Sequence, residues 1–241
     1  MTASLPVVFV HGVRLSGACW QQQARLLGAR DVVAPDLPGH GTRRGEAFTV
    51  GAAVDAVVSA IDQVGGRAVL VGHSLGGFVS IATAAHHPDR VAALVGVGCS
   101  LVPGVALRGA FRLGHRVLTA FGDDGAAASA RTLRRVLPSE VAEPVIAAGI
   151  ATEVVPSVMD AAAWIDSIDL LARYRGRVLL LNGGHDHFRF GEHRFLAATS
   201  HGSLQVVPGA GHYLPLTHGE VCARVVDDVA RLAAADATVT A

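Results

Sequence analysis

The chain has 241 residues, of which 51% are apolar and 17% are charged, with 20 basic and 20 acidic side chains. This composition supports a large buried core and excludes a disordered chain. The charge balance argues against a nucleic-acid-binding surface, and the scarcity of aromatic residues argues against base-stacking platforms. Every basic residue is arginine, which excludes a lysine-dependent phosphate loop and pyridoxal Schiff-base chemistry.

The N-terminal sequence MTASLPVVFVHG lacks the basic region of a signal peptide, and no uncharged apolar run reaches the length of a membrane span. The cysteines Cys19, Cys99 and Cys222 are odd in number and far apart, which indicates neither a disulfide framework nor a zinc ribbon. We therefore expect a cytoplasmic protein without a membrane span.

Six short segments are continuously apolar, which is typical of parallel strands buried on both faces. Segments with helical periodicity lie between most of them. This alternation predicts an α/β protein with a mostly parallel sheet of about six strands flanked by helices. The predicted strands are 6–10, 31–35, 67–72, 91–98, 177–183 and 204–208. The predicted helices are 17–28, with Ser16 as its N-cap, 50–64, 75–87 and 218–234.

Residues 101–176 interrupt this alternation, because they contain no clear strand and resemble several helices separated by prolines and a glycine turn. A long helical insertion between two core strands is most simply a cap over the carboxyl edge of the sheet. We therefore expect a core formed by residues 1–100 and 177–241, and a helical cap formed by residues 101–176.

Polar residues follow several of the predicted strands, and open α/β sheets form their sites at the carboxyl ends of strands. Ser74 follows the third strand, Asp186 the fifth and His212 the sixth. A serine hydroxyl is a weak nucleophile without a base. His212 is the candidate base, and Asp186 is the candidate group that orients it.

The candidate nucleophile lies in Gly72-His73-Ser74-Leu75-Gly76, a turn between an apolar strand and a helix that we call the elbow. A residue on such a tight turn takes strained dihedral angles, and small residues two positions away avoid a collision. The turn also directs the N-terminus of the following helix at the site, where its amides favour negative charge. We expect the amides of Leu75 and Val13 to form an oxyanion hole.

Five motifs in chain order resemble those of the α/β-hydrolase superfamily, in particular its compact capped bacterial members. They are VFVHGVRLSGACW, DLPGHG, VGHSLGG, LNGGHD and GAGH. The resemblance implies an α/β-hydrolase fold and a cofactor-free site with Ser74, Asp186 and His212 as triad and Val13 and Leu75 as oxyanion amides. Since only ten residues precede His11, we expect the antiparallel N-terminal hairpin common in the family to be absent and the core to be all-parallel.

Other polar residues have plainer interpretations. Asp36 is interpreted as a structural acid that bonds its own turn. The cluster of His185, His187 and His193 around Asp186 lacks the spacing of common zinc motifs, so no metal is expected.

The substrate pocket is predicted to include one residue of the elbow, two of the insertion and one beside the candidate base. They are His73, Phe111, Trp164 and Tyr213. For His73 the plainer interpretation is a packed residue of the elbow.

Residues 105–135 contain six arginines against two aspartates. Three of them repeat every four residues and share one helix face. The plain interpretation is a solvated face. The alternative is a docking surface for an acidic acyl carrier protein or a CoA thioester. The six are Arg108, Arg112, Arg116, Arg131, Arg134 and Arg135.

These patterns predict a cofactor-free serine hydrolase that cleaves an ester or thioester of an apolar small molecule through a Ser74 acyl-enzyme. One alternative is a non-hydrolytic enzyme on the same scaffold, catalysing carbon–carbon cleavage, elimination, perhydrolysis or cyclisation. Another is a ligand receptor with poor catalysis. Dehalogenases and epoxide hydrolases of this superfamily use aspartate where this chain has Ser74, so we set both aside.

Overall fold

A computed structural model describes residues 4–101, 125–162 and 165–239, with a few single positions between 102 and 124 and with side chains as far as residue 236. Six strands form one parallel sheet in the order β2-β1-β3-β4-β5-β6. The predicted six-stranded parallel core is thereby confirmed. The strands are β1 (Val7–Val10), β2 (Val32–Val33), β3 (Ala68–His73), β4 (Val91–Val97), β5 (Arg177–Gly183) and β6 (His201–Val207).

Helices flank the sheet on both faces. In the first half of the chain they are α1 (Gln21–Leu26), α2 (Val50–Gln63) and α3 (Leu75–His86). Between β4 and β5 lie α4 (Ala126–Val136), α5 (Ser139–Ala147), α6 (Val155–Ala162) and α7 (Ser167–Arg173). The last part contains α8 (Glu192–Ala198), α9 (Leu214–Thr217) and α10 (Gly219–Val239). No helix among the described residues combines the length and apolar character needed to cross a bilayer.

The continuous apolar character of the strands supplies a core on each face of the sheet. In β1, Val7 and Phe9 pack into one cluster with Trp20, while Val8 and Val10 pack into the other. This division follows from the alternation of side chains along a strand. Helix α10 packs on β3 and β4 from the first side, and α2 and α3 pack from the second.

Some element boundaries differ from the sequence prediction. The segment 17–28 divides into a 3-10 helix (Gly17–Trp20) and the short α1. Ser16 makes no capping hydrogen bond, and its hydroxyl is buried without a partner among the described residues. Strand β6 begins three residues earlier than its apolar run. It lies at the edge of the sheet and its first residues are exposed, so these residues need not be apolar.

The described part of residues 101–176 contains helices and no strand. Helices α4 and α5 contribute side chains such as Leu133 and Val141 to the first core cluster, whereas Val154 and Val158 join the second. Helix α7 packs against α3 and α8. The assignment of this whole region to a cap stays a prediction.

The sheet order places the loops after β1 and β3 side by side at the point where the chain changes direction. From β1 the chain first goes outward to β2 and then returns to β3 on the other side. Ligand crevices of open α/β sheets form at such switch points, at the carboxyl ends of the strands. These two loops carry Val13 and Ser74.

Helix α3 approaches β1 so closely that position 76 has no room for a side chain. A Cβ on Gly76 would lie 2.2 Å from the carbonyl oxygen of Val10. We expect Gly76→Ala to lower the free energy of unfolding by about 1–3 kcal/mol, because overpacking forces the backbone to move. Urea denaturation measures this loss.

The matched control is Gly51→Ala in α2, where a Cβ would meet no atom within 4 Å. This change should raise the free energy of unfolding by roughly 0.5–1 kcal/mol, since alanine has a higher helix propensity than glycine. Equal stability of the two variants would contradict the close approach of α3 to β1.

Candidate active site

Ser74 occupies the turn between β3 and α3 with φ 53° and ψ −116°. This left-handed region is costly for a residue with a side chain. The turn is held by the Ser74 amide, which donates to the carbonyl of Val97 at 2.9 Å, and by the Gly77 amide, which donates to the Ser74 carbonyl at 2.9 Å. A Cβ on Gly72 would lie 2.3 Å from the carbonyl oxygen of Gly76, so the tight turn requires glycine there.

The side chains of Ser74, His212 and Asp186, which follow three different strands, form one chain of hydrogen bonds. His212 Nε2 lies 3.1 Å from Ser74 Oγ, and His212 Nδ1 lies 3.1 Å from Asp186 Oδ2. Both distances are within hydrogen-bonding range. With the proton on Nδ1 donated to Asp186, Nε2 is free to accept from the serine hydroxyl.

The Asp186 carboxylate is almost fully buried and is held by more than one donor. Its Oδ1 accepts from the amide of Phe188 at 2.8 Å. Burial by itself raises the pKa of this carboxyl, but the hydrogen bonds from His212 and Phe188 outweigh it and hold the pKa below its ordinary value. Asp186 is therefore ionised at neutral pH and able to stabilise a protonated His212.

Gly98, after β4, makes room for this pair. It has φ 56°, and a Cβ there would lie 2.9 Å from Asp186 Oδ2 and 3.2 Å from His212 Nδ1. A side chain at this position would therefore disturb both partners.

Two buried histidines shape the loops without titrating near neutral pH. His73 Nε2 donates to the backbone carbonyl of His212 at 2.8 Å. His11 Nε2 accepts from the amide of Leu37 at 3.0 Å. Burial, aided by neighbouring histidines, lowers the pKa of each to about 3. Both rings are therefore neutral. The hydrogen bond from His73 holds the loop that carries His212 in place.

Asp36 has the structural position predicted for it. Its carboxylate accepts from the amide of Gly17 at 2.8 Å and from the amide and hydroxyl of Thr42 at 2.7 and 2.8 Å. It joins the loop after β2 to the start of the 3-10 helix and does not contact Ser74, His212 or Asp186 through any of these bonds.

A cavity of about 340 Å³ opens above Ser74. Val13 and Leu75, the expected oxyanion residues, line it together with His73 and Tyr213 of the predicted pocket. Leu75 is the first residue of α3, so its amide has no acceptor within the helix. Phe111 and Trp164, the other predicted pocket residues, lie outside the described residues.

Sequence reasoning did not identify several residues of the cavity wall. Arg14 directly follows Val13 and Phe188 lies two residues after Asp186, so their closeness to predicted site residues along the chain was an available signal. Met159 and Ala162 come from α6 and have no local signal, because only tertiary packing brings them to the site. The additional lining residues are Gly12, Arg14, Leu15, Phe78, Gly98, Leu101, Met159, Ala162, His187 and Phe188.

The histidines near Asp186 are not gathered into a ligand set. His187 packs beside Phe188, and His193 is exposed and 4.0 Å from the carboxylate of Glu192. Among the described residues, no group of three histidine, cysteine or acidic side chains is arranged to hold a metal ion.

The profile of the alpha/beta hydrolase family matches residues 7–225. This chain belongs to the α/β-hydrolase family. The solved structure of a thermophilic esterase from Thermogutta terrifontis superposes with a TM-score of 0.78 at 25% identity and covers 97% of this chain and 92% of its own. The family and the fold predicted from the sequence are both confirmed.

Curated relatives include ester-cleaving enzymes by name. A pimeloyl-[acyl-carrier protein] methyl ester esterase from Neisseria meningitidis is 32% identical in an alignment of 231 positions that covers 85% of this chain and 84% of that protein. The lipase LipV from Mycobacterium tuberculosis is 44% identical over 105 residues, 43% of this chain. The match spans only 39% of that lipase and 51% of the homologous Vibrio cholerae esterase, which is 38% identical over 134 residues, 54% of this chain.

The neutral buried histidines predict how stability depends on pH. The unfolded chain protonates histidine near pH 6.5, whereas folded His73 and His11 resist protonation until about pH 3. The unfolded state therefore binds more protons between these values. The free energy of unfolding should fall on acidification by roughly 1.4 kcal/mol per pH unit for each histidine.

Urea denaturation between about pH 6 and about pH 5 measures this slope. His73→Asn should remove one histidine's share of it, whereas His201→Asn, at an exposed position on β6, should leave the slope unchanged. A slope that is the same in the wild type and in His73→Asn would contradict the neutral state of His73.

Proposed function

We propose that this protein is a serine hydrolase that cleaves a carboxylic ester or thioester of a small molecule. The observation that carries the proposal is the hydrogen-bonded chain of Ser74, His212 and Asp186 beside a cavity. The names of the relatives support hydrolysis over the non-hydrolytic and receptor alternatives. The cytoplasm remains the predicted location.

In the proposed reaction, Ser74 Oγ attacks the carbonyl carbon while His212 Nε2, 3.1 Å away, accepts the hydroxyl proton. The ionised carboxylate of Asp186 stabilises the imidazolium that forms. The amides of Val13 and Leu75 donate to the oxyanion, and the α3 dipole adds to this stabilisation. His212 then returns the proton to the departing alcohol or thiol.

Deacylation repeats these steps with water as the nucleophile. His212 takes a proton from the water, the hydroxide attacks the acyl carbon, and Ser74 leaves with a proton from His212. All of these reaction steps need only protein groups and water, so the proposed mechanism uses no cofactor.

The chemistry of the cavity wall supports an apolar group on the substrate. Phe78, Leu101, Met159 and Phe188 line the cavity around Ser74. Burial of apolar surface contributes about 25 cal/mol per Å², so an alkyl or aryl group would bind here without a directional contact. The acyl or the alcohol part of the ester is therefore proposed to be apolar.

As a second candidate substrate, we propose an ester that is linked to an acyl carrier protein. The names of the esterase relatives support this proposal, since they act on a carrier-linked ester. Helix α4 exposes Arg131 and Arg135, whereas Arg134 pairs with Glu143 at 2.8 Å. Arg116 is exposed as well, and Arg108 and Arg112 lie outside the described residues.

Reaction with a fluorophosphonate tests the nucleophile. The wild type should gain one adduct by intact mass, because Ser74 is activated by His212. Ser74→Ala should gain none and should also lose hydrolysis of short acyl esters by at least about 1,000-fold. An adduct of equal yield on Ser74→Ala would overturn the proposed role of Ser74.

Charge reversal tests the carrier surface. The double variant Arg131→Glu/Arg135→Glu should lower kcat/KM for a carrier-bound acyl ester, relative to the same free ester, by about tenfold, because rim charges control association. Arg224→Glu, at an exposed position on α10, is the matched control and should not change this ratio. An unchanged ratio in the double variant would rule out α4 as the docking surface.

A further inference from the structure

A second cavity of about 210 Å³ adjoins the first and shares part of its wall. The shared residues are Val13, Arg14, Leu15 and Tyr213, and the remaining wall comes from α4 and Ile150. Val13 and Tyr213 are the chain neighbours of Arg14 and of His212, respectively. A ligand group in the second cavity would therefore lie close to the carbonyl attacked by Ser74.

The Arg14 guanidinium lines both cavities, and the hydrogen bonds it makes to described residues are long and go to neutral groups. Its nitrogens lie 3.3 Å from Ser129 Oγ and 3.4 Å from Tyr213 Oη. Charge-assisted hydrogen bonds of arginine are normally about 2.7–2.9 Å long. Within the described part of the chain no carboxylate pairs with Arg14, and no aspartate or glutamate appears among the described residues that line either cavity.

Other arginines of the protein show the contrast. Arg30 pairs with a carboxylate at 2.5 Å, Arg134 at 2.8 Å and Arg189 at 2.7 Å. A guanidinium that is partly withdrawn from water pays a desolvation cost, which an opposite charge offsets. The surroundings of Arg14 therefore favour the binding of an anionic ligand.

The two hydroxyls beside Arg14 reinforce this arrangement. Ser129 Oγ and Tyr213 Oη each accept from the guanidinium, which leaves their own hydrogens available to donate. A carboxylate placed between them would receive bonds from the guanidinium and from both hydroxyls. The neighbouring hydroxyl of Thr132 is already committed, since it donates to the carbonyl of Ala128 at 3.0 Å.

The backbone holds Arg14 at this place at a cost. Arg14 has φ 68°, a left-handed conformation that disfavours residues with a Cβ by roughly 1–2 kcal/mol. Its carbonyl accepts from the amide of Ala151 at 3.0 Å, which anchors the loop to the segment before α6. A charged side chain is thus kept where glycine would fit with less strain.

We propose that Arg14, Ser129 and Tyr213 form a carboxylate-binding site, and that the substrate is a small ester that also carries a free carboxylate. This inference rests on the proposed hydrolase function and specifies its substrate class. The carboxylate occupies the second cavity, and the apolar part of the ester occupies the first. Arg14 is then the residue that decides specificity.

The test compares esters that differ only in the charged group. The probes are the mono-p-nitrophenyl ester of glutaric acid, with the carboxylate in the acyl part, and 3-butyryloxypropionate, with the carboxylate in the alcohol part. Each is paired with its terminal carboxamide. The wild type should prefer the carboxylate over the carboxamide in kcat/KM by roughly 10- to 100-fold for at least one pair, as expected for hydrogen bonds to a charged group.

Variants assign the preference to its residues. Arg14→Gln should reduce the carboxylate preference at least about tenfold, mainly through KM, and Arg14→Lys should keep part of it because the charge remains. Tyr213→Phe should reduce it by a few-fold. Arg224→Gln removes an exposed charge from α10 and should leave the preference unchanged. Thermal unfolding checks that each variant is folded.

Two results would overturn the inference: equal kcat/KM for carboxylate and carboxamide in both pairs, or a preference that survives Arg14→Gln. If the wild type hydrolyses none of the four esters, the proposed function fails. Calorimetric binding of the same probes to Ser74→Ala and to Ser74→Ala/Arg14→Gln then decides the carboxylate site separately. Binding of equal strength to both proteins would reject it.

Discussion

The close approach of α3 to the ends of β1 and β3 is the constraint on which the site depends. Position 76 meets the carbonyl of Val10, and position 72 meets the backbone of Gly76, so neither accepts a side chain. This contact forces the residue between them, Ser74, into a left-handed backbone and lifts its hydroxyl out of the sheet. The same contact aims the free amides of α3 at the cavity.

The balance between burial and hydrogen bonding then determines the charge states of Asp186 and His73. Asp186 stays ionised because hydrogen bonds from His212 and Phe188 outweigh the cost of its burial. His73 stays neutral because nothing of comparable strength offsets its burial, and it serves as a donor to the carbonyl of His212. Two residues of similar depth thus have opposite charge states, which leaves His212 as the group placed to exchange a proton with Ser74.

The two adjoining cavities beside Ser74 differ in the groups that line them. Apolar side chains from α3, α6 and the loop after β5 line the cavity around Ser74. Arg14 and Tyr213 line both cavities, and the second cavity adds the hydroxyl of Ser129. For the substrate class that we propose, this arrangement would distinguish substrates by one charged contact and one apolar contact. It is consistent with family membership, since α/β hydrolases share the strand-end chemistry and differ in the walls above it.

The sequence by itself determined the six parallel strands, the elbow around Ser74 and the chain order of Ser74, Asp186 and His212, because these depend on local patterns. Continuous apolar runs require burial on both faces, and tight turns require glycine at certain spacings. It did not determine the extent of α1 or of β6, since the ends of elements depend on their neighbours. The hydrogen bonds that join the three side chains, the contribution of Met159 from α6 and the position of Arg14 beside Ser129 and Tyr213 were decided only by tertiary structure. These groups are distant along the chain, and their proximity follows from packing against the sheet.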